Sequence, residues 1–275
     1  MKIPVIILLC ALPVILYLLM IMPRVFKRPD ITPFKGWFYA HRGLHDNSSE
    51  APENSLAAFQ KAVDKGFGIE LDVQLSKDGI PVVFHDYTLD RICGEEGKVC
   101  DFTYEKLRQL RLCKSDQRIP KFEEVLKLVD SKVPLIVELK FESADMSVCQ
   151  AADKLLSDYR GLYCIESFNP LGVWWYRRHQ KSVVRGQLSD AFRKEGERRG
   201  PLYFLLRNLL LNWIGKPDFI AYNHRYPNVL SRRLCRSLYH NTAVAWTIRT
   251  PQELKEANKH FDIFIFDSFM PERES

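Results

Sequence analysis

Three absences narrow what this sequence can be. None of its seven cysteines sits at the tight spacing of a structural metal site. Cys93 and Cys100 could bridge, but thiols scattered through a chain this long point to a reducing compartment. No aromatic–basic repeat of the kind that tracks nucleic acid is present, so nucleic acid is not an expected partner. The formal net charge of +6 over 275 residues is modest and suits anionic headgroups or phosphate-bearing ligands. With 46% hydrophobic and 27% charged residues the chain can fill a sizeable core, which argues against disorder.

The third absence is local: residues 3–22 carry no charge. About 20 apolar residues suffice to cross a bilayer. The run exceeds a usual signal-peptide core, and no small-x-small cleavage site follows it. Residues 1–23 are therefore read as an uncleaved transmembrane anchor, with a cleaved signal peptide as the competing reading. Pro4 and Pro13 are tolerated better in a membrane helix than in a soluble one. Arg24, Lys27, Arg28 and Lys35 outnumber Lys2 across the run, which places the body of a single-pass protein in the cytoplasm. Residues 24–35 read as a basic, Pro-rich juxtamembrane linker.

From residue 36 to 275 short apolar runs alternate with helical patterns. Strand signals fall at 37–40, 68–75, 80–84, 135–139, 162–166, 183–188, 219–222, 243–248 and 263–266, with helical periodicity between most of them. Asn54 or Ser55 would cap the first of these helices. The alternation implies a parallel sheet. Nine strands are one too many for a barrel, but a turn as short as Lys77-Asp78-Gly79 can join only antiparallel neighbours. Residues 80–84 thus fold back as a hairpin, and eight staves remain. The expected fold is α/β, a TIM (β/α)8 barrel behind an N-terminal transmembrane helix.

In this fold the functional groups stand at the C-terminal ends of the strands. Those ends hold His41 and Arg42, Glu70 and Asp72, Glu138 and Lys140, Glu166, Gln187, Asn223 and His224, Trp246, and Asp267. Glu70 and Asp72, two apart on one strand, point the same way. Carboxylates aimed together repel unless protons or a cation intervene. With Glu138 they form a hard-oxygen set suited to Mg²⁺ or Ca²⁺. Arg42 and Lys140 can hold phosphate oxygens. His41 and His85 titrate in the right range for proton transfer. Glu166 reads as an interior carboxylate paired with a lysine. Glu53 reads as a helix-start residue, and His45, His179, His240 and His260 as surface residues. Asp86 either orients His85 or simply begins a loop.

HRG at 41–43, PENS at 52–55, ELDVQLSKDGIPVVFHD at 70–86 and VELK at 137–140 occur together, followed by SFNP at 167–170, WTI at 246–248 and IFDS at 265–268. In these motifs the sequence resembles the glycerophosphodiester phosphodiesterase family over about residues 37–270. The resemblance implies metal-dependent cleavage of glycerophosphodiesters to glycerol 3-phosphate and an alcohol. Glu70, Asp72 and Glu138 would be the divalent-metal ligands, with His41 and His85 as general acid and base. Arg42 and Lys140 would hold the phosphate, and Trp246 would stack on the glycerol or alcohol end. The attacking group would be the substrate's own glycerol hydroxyl. PENS stands for the commoner PENT, Lys121-Phe122 for Thr-Leu, and Arg249 for the usual Asn, which bears on how the alcohol is held.

Residues 191–216 interrupt the alternation, beginning basic and turning strongly apolar. They read either as a buried barrel helix or as an interfacial helix, with Arg198 and Arg199 on phosphates and Trp213 and the leucines in lipid. The second reading suggests a lysophospholipase D that releases lysophosphatidic acid from lysophospholipids. A non-catalytic lipid-binding barrel and a phosphate-handling lyase or isomerase are the rivals from other classes.

Overall fold

The computed structural model describes residues 2–192 and 200–272, with side chains from Ala11 onward. An N-terminal helix α1 (Lys2–Ile21) is followed by β1 (Phe38–His41), α2 (Leu56–Asp64), β2 (Gly68–Leu75) and a short β3 (Pro81–Val83). A polar excursion carries two single-turn helices, α3 (Asp90–Cys93) and α4 (Tyr104–Leu107), before α5 (Phe122–Val129). The rhythm resumes with β4 (Leu135–Leu139), α6 (Ser147–Leu156), β5 (Tyr163–Ser167), α7 (Pro170–His179) and β6 (Arg185–Ser189). Then come α8 (Pro201–Arg207), α9 (Asn212–Gly215), β7 (Phe219–Asn223), α10 (Leu230–Ser237), β8 (Thr242–Ile248), α11 (Pro251–Ala257) and β9 (Ile263–Phe266).

Eight strands pair in parallel in the order β1-β2-β4-β5-β6-β7-β8-β9, and β9 returns to β1 to close the barrel. The ninth, β3, runs antiparallel to β2, as the short turn demanded. Gly79 takes φ +76°, a backbone state that favours glycine.

Period-two alternation divides the staves into an outward and an inward set. Ile69, Leu71, Val73, Leu135, Val137, Leu139 and Ile165 face outward into one core with α2, α5 and α6. The inward set is apolar low in the barrel, where Tyr39, Ile136, Cys164, Val184, Phe219, Val244 and Ile263 pack together. One step further along the same faces stand His41, Asp72, Glu138, Glu166, Asn223 and Trp246. The lower layer is a packed floor, and the polar groups rest on it.

The chain ahead of β1 closes the floor from below. Phe34 is buried in the interior cluster, and its carbonyl accepts from the Tyr39 hydroxyl at 3.0 Å. Arg24 donates from its backbone to Pro217 at 3.0 Å, and its guanidinium reaches Lys181 O and Asp218. Arg28 donates to the carbonyls of Tyr239 and His240. The stretch read as a linker is thus bound along the strand N-termini. The predicted membrane span lies partly outside the residues whose side chains are described. Among the described residues no helix is long and apolar enough to cross a membrane.

The 191–216 segment does not form one buried barrel helix. It contains α8, which has no buried residue, and the one-turn α9, while Leu209 and Leu210 between them are buried. The Ser189 hydroxyl donates to Leu206 O, and the Tyr222 hydroxyl to Arg207 O, which holds α8 over the C-terminal ends of β6 and β7. Arg198 and Arg199 lie outside the described residues. No disulfide joins Cys93 to Cys100; both are free thiols.

The floor tolerates little change. A Cβ at Gly186, on the inward face of β6, would stand 2.1 Å from the Phe219 ring. Gly186→Ala is therefore expected to destabilise the barrel by about 1–3 kcal/mol, the usual cost of overpacking a core. Denaturant unfolding would show this as a lower midpoint at unchanged slope; an unchanged midpoint would mean that the ring has room to move.

Candidate active site

Glu70 and Asp72 project from β2 and Glu138 from β4, with Asp72 and Glu138 side by side in the ladder. One oxygen from each lies within 4.8 Å of the others. All three are buried. Burial pushes Glu70 well above the usual carboxylate range, and the neighbouring charges of Asp72, Glu138 and Glu166 push it further. Burial also raises Glu138. Asp72 moves down, because His85, Lys140, Arg42 and a hydrogen bond from Asn54 together outweigh its burial. Its Oδ1 makes no hydrogen bond. Three oxygen donors, mutual repulsion and an orphaned carboxylate oxygen fit a hard divalent cation held by Glu70, Asp72 and Glu138.

Two cations border the acids. Lys140 donates to Glu138 at 2.9 Å and lies 3.5 Å from Asp72. Burial works against its charge, but those two carboxylates win and its pKa rises. Arg42 takes φ +57° directly after β1, which turns its backbone N–H onto Glu70 and brings its Nε to 3.5 Å from Asp72.

The two histidines stand on either side. His41 ends β1, with Nε2 4.0 Å from Glu70 and Nδ1 3.8 Å from Asp267. Burial, helped by Arg42, lowers its pKa to about 4 against the pull of Asp267 and Asp72. His85 follows β3, and the antiparallel hairpin is what carries it over the mouth. Gln74 donates to the carbonyls of Phe84 and Asp86 at 2.7 and 2.8 Å, pinning the backbone around His85 from within the barrel. His85 Nδ1 lies 2.6 Å from Asp86 Oδ1, so Asp86 orients the ring.

The structure places every predicted site residue at one mouth. His41, Arg42, Glu70, His85, Glu138 and Trp246 line a single cleft, with Asp72 and Lys140 bonded behind them. Trp246 meets Phe168 edge to face at 5.7 Å on the opposite wall from the acids. Arg249 also lines the cleft, 3.5 Å from Asp267.

Several residues have roles that sequence reasoning missed. Glu53 is the centre of an ion-pair network. It accepts from Arg42 at 2.6 Å, from both terminal nitrogens of Arg91 at 2.8 Å, and from Asn47 at 2.8 Å. Arg91 also grips Asp86 at 2.6 and 3.0 Å, so the network runs from Arg42 through Glu53 and Arg91 to the carboxylate behind His85. Ser55 caps α2, which leaves Asn54 free to donate to Asp72 at 2.9 Å. Only the clustering of PENS ahead of a helix hinted at this. Glu166 is not paired with a lysine: Lys140 is taken by Glu138, and Glu166 Oε2 is buried without a hydrogen-bond partner. His45 is turned inward, 3.4 Å from Asp267. His179 stacks on Trp175 with centroids 4.5 Å apart. His224 lines the cleft, 3.8 Å from Glu253.

Burial would raise the Glu53 pKa, but its two arginines and Asn47 bring it from 4.5 down to about 2. A depressed acid stabilises the fold above its unfolded pKa and loses that contribution as pH falls through the folded value. The shift corresponds to about 3 kcal/mol at most. Unfolding free energies of wild type and Glu53→Gln are expected to differ near pH 6 and to converge between pH 4.5 and 2. A gap independent of pH would show that the Glu53 charge is not what the network uses.

The model of the glycerophosphoryl diester phosphodiesterase family matches residues 41–267. Glycerophosphodiester phosphodiesterase 1 of Mus musculus is 27% identical over 269 residues, covering 84% of this chain and 77% of the relative. The Thermotoga maritima glycerophosphodiester phosphodiesterase structure aligns with a TM-score of 0.62 at 26% identity, covering 84% and 94% of the two chains. A phosphodiesterase of Oleispira antarctica, solved with its product sn-glycerol-3-phosphate, shares the fold with a TM-score of 0.68 at 24% identity over 86% and 94%. With the family model spanning the barrel from the first histidine to the last acid of the site, the chain belongs to the glycerophosphoryl diester phosphodiesterase family.

Proposed function

We propose that the barrel is a divalent-metal-dependent enzyme that hydrolyses glycerophosphodiesters to glycerol 3-phosphate and an alcohol. The observation that carries this is the set of three buried carboxylates within 4.8 Å, bordered by His41 and His85. Glu70, Asp72 and Glu138 would hold a divalent cation such as Mg²⁺ or Ca²⁺, which would supply positive charge against the negative charge that builds on the phosphoryl oxygens. Lys140 and Arg42 hold the phosphate, and Trp246 covers the glycerol or alcohol end. One histidine takes the proton of the substrate's glycerol hydroxyl as that oxygen attacks phosphorus. The other protonates the departing alcohol. Water then opens the cyclic phosphate with the histidines in exchanged roles. Asp86, held by Arg91, keeps the His85 ring aimed through the cycle.

The same chain is read as a membrane protein anchored by its uncharged first segment, with the barrel in the cytoplasm. Residues 3–22 support the anchor, and the basic residues that follow support the orientation. A second substrate reading, lysophospholipids cleaved to lysophosphatidic acid, is favoured by the apolar residues exposed on α8.

The purified protein, given Mg²⁺ or Ca²⁺, is expected to release glycerol 3-phosphate from glycerophosphocholine and to stop when a chelator is added. Glu70→Gln and His41→Ala are each expected to lower kcat by about 10²–10⁴-fold with the fold intact by circular dichroism. Full activity in either variant would overturn the assignment. Running lysophosphatidylcholine alongside separates the two substrate readings by which product accumulates.

A further inference from the structure

Helix α1 is not free of the barrel, and the way it docks fixes a direction. Tyr17 lies beside Ser231 in the first turn of α10. Four residues on, the Ile21 carbonyl accepts from Cys235 at 3.3 Å and from Asn212 at 2.9 Å. Further on, Arg28 donates to Tyr239 and His240, beyond the end of α10. The Leu18 carbonyl also accepts from the Tyr239 hydroxyl at 3.0 Å, a side chain long enough to reach back along α10. The shorter contacts at Tyr17 and Ile21 advance from Ser231 to Cys235, so the end of α1 runs in the same sense as α10. Because α10 begins just after the C-terminal end of β7, it descends from the mouth towards the floor. Followed backwards, α1 therefore rises past the mouth.

The docked end is well seated: Tyr17, Leu18, Met20 and Ile21 pack into one apolar cluster with Leu209, Leu210 and Cys235, so the barrel is held against this end of α1 and does not swing from it.

The mouth is dressed for that contact. Leu202 and Phe204 on α8, each 54% exposed, and Leu230 and Met270, each 60% exposed, stand beyond the C-terminal ends of β6, β7 and β9. Arg225 and Arg249, about half exposed, sit in the same rim and suit headgroup phosphates. The floor also exposes apolar residues, Phe26 at 84% and Leu238 at 51%, but α1 leads away from that end.

We propose that the catalytic mouth faces the membrane that α1 enters, with Leu202 and Phe204 seated in the headgroup boundary, so that the cleft takes its diester from the lipid surface. This rests on the membrane-anchored diesterase reading above.

The test uses the full chain in phosphatidylcholine vesicles containing lysophosphatidylcholine, with glycerophosphocholine as the soluble comparison. The double variant Leu202→Glu/Phe204→Glu is expected to lose tenfold or more in kcat/KM on the vesicle-borne substrate, through KM, and to keep kcat/KM on the soluble one. Phe26→Glu at the floor is expected to keep both. Independently of activity, Leu202→Trp should gain fluorescence quenching by brominated phosphatidylcholine over wild type, and Phe26→Trp should not. Quenching at the floor instead of the rim, or a rim variant that behaves as wild type on vesicles, overturns the orientation. Wild type that fails to float with vesicles overturns the anchor and the orientation with it. Absent turnover of both substrates, with rim quenching intact, refutes the diesterase reading and leaves the orientation standing. Rim residues that remain unquenched but capture a soluble protein would assign the patch to a protein partner and overturn the proposal.

Discussion

Four carboxylates buried in one barrel mouth are the constraint around which the rest of the chain is arranged. Glu70, Asp72, Glu138 and Glu166 are all at most 6% exposed, on adjacent strands. Their burial strips most of the solvent from each carboxylate, so the charges repel one another more strongly than at a free surface. Lys140 offsets one of the four, and Arg42, which Glu53 binds at 2.6 Å, offsets Asp72 only in part. The remainder is net negative charge, which a divalent cation can cover. Burial raises the Glu70, Glu138 and Glu166 pKa values, and the crowding of like charge adds to it. The apolar floor beneath the cluster, closed by Phe34 and Tyr39, contributes hydrophobic burial that offsets this cost.

A chain of ion pairs around this cluster gives the site its direction. The link from Arg42 through Glu53 and Arg91 to Asp86 ties the loop after β1 to the hairpin that bears His85. One ring is thus held from the end of a barrel stave and the other through a bidentate ion-pair chain. Bidentate arginine contacts fix angle as well as distance. Under the proposed chemistry this matters, because proton transfer in each direction needs both rings within hydrogen-bond reach of one phosphorus centre.

Much of this was legible in the sequence, and the reason is geometric. Parallel staves are separated by helices, so their apolar runs are easy to count, and a three-residue turn settles which run is the hairpin. Parallel strands also end on one side, which gathers His41, Glu70, Asp72, Glu138 and Trp246 without any knowledge of tertiary contacts. What escaped was carried by irregular chain. Arg91 lies on a single-turn helix in the excursion after β3, where no periodicity says which way a side chain points. Glu53 looked like a helix-start acid because its partners are 11 and 38 residues distant. His45 looked like a loop residue because nothing local records that the HRG turn folds it back onto Asp267. Residues 24–35 have the composition of a linker, and only the carbonyls at the strand N-termini reveal that their arginines are spoken for.

The separation between buried centre and exposed rim has a kinetic consequence under the proposed orientation. The phosphate, the histidines and the acids see the same glycerophosphate unit whether the alcohol is small or the glycerol carries an acyl chain. An acyl chain that stays among lipids or against Leu202 and Phe204 does not change its contacts as phosphorus is attacked. Interactions equal in the ground and transition states lower KM and leave kcat alone. The rim therefore selects where substrate comes from, while the charge-balanced centre sets how fast it reacts. Arg249 stands between the two, close to Asp267 behind His41 yet half exposed at the cleft edge. It is the position at which a change in the alcohol could reach the chemistry, through the carboxylate that faces His41.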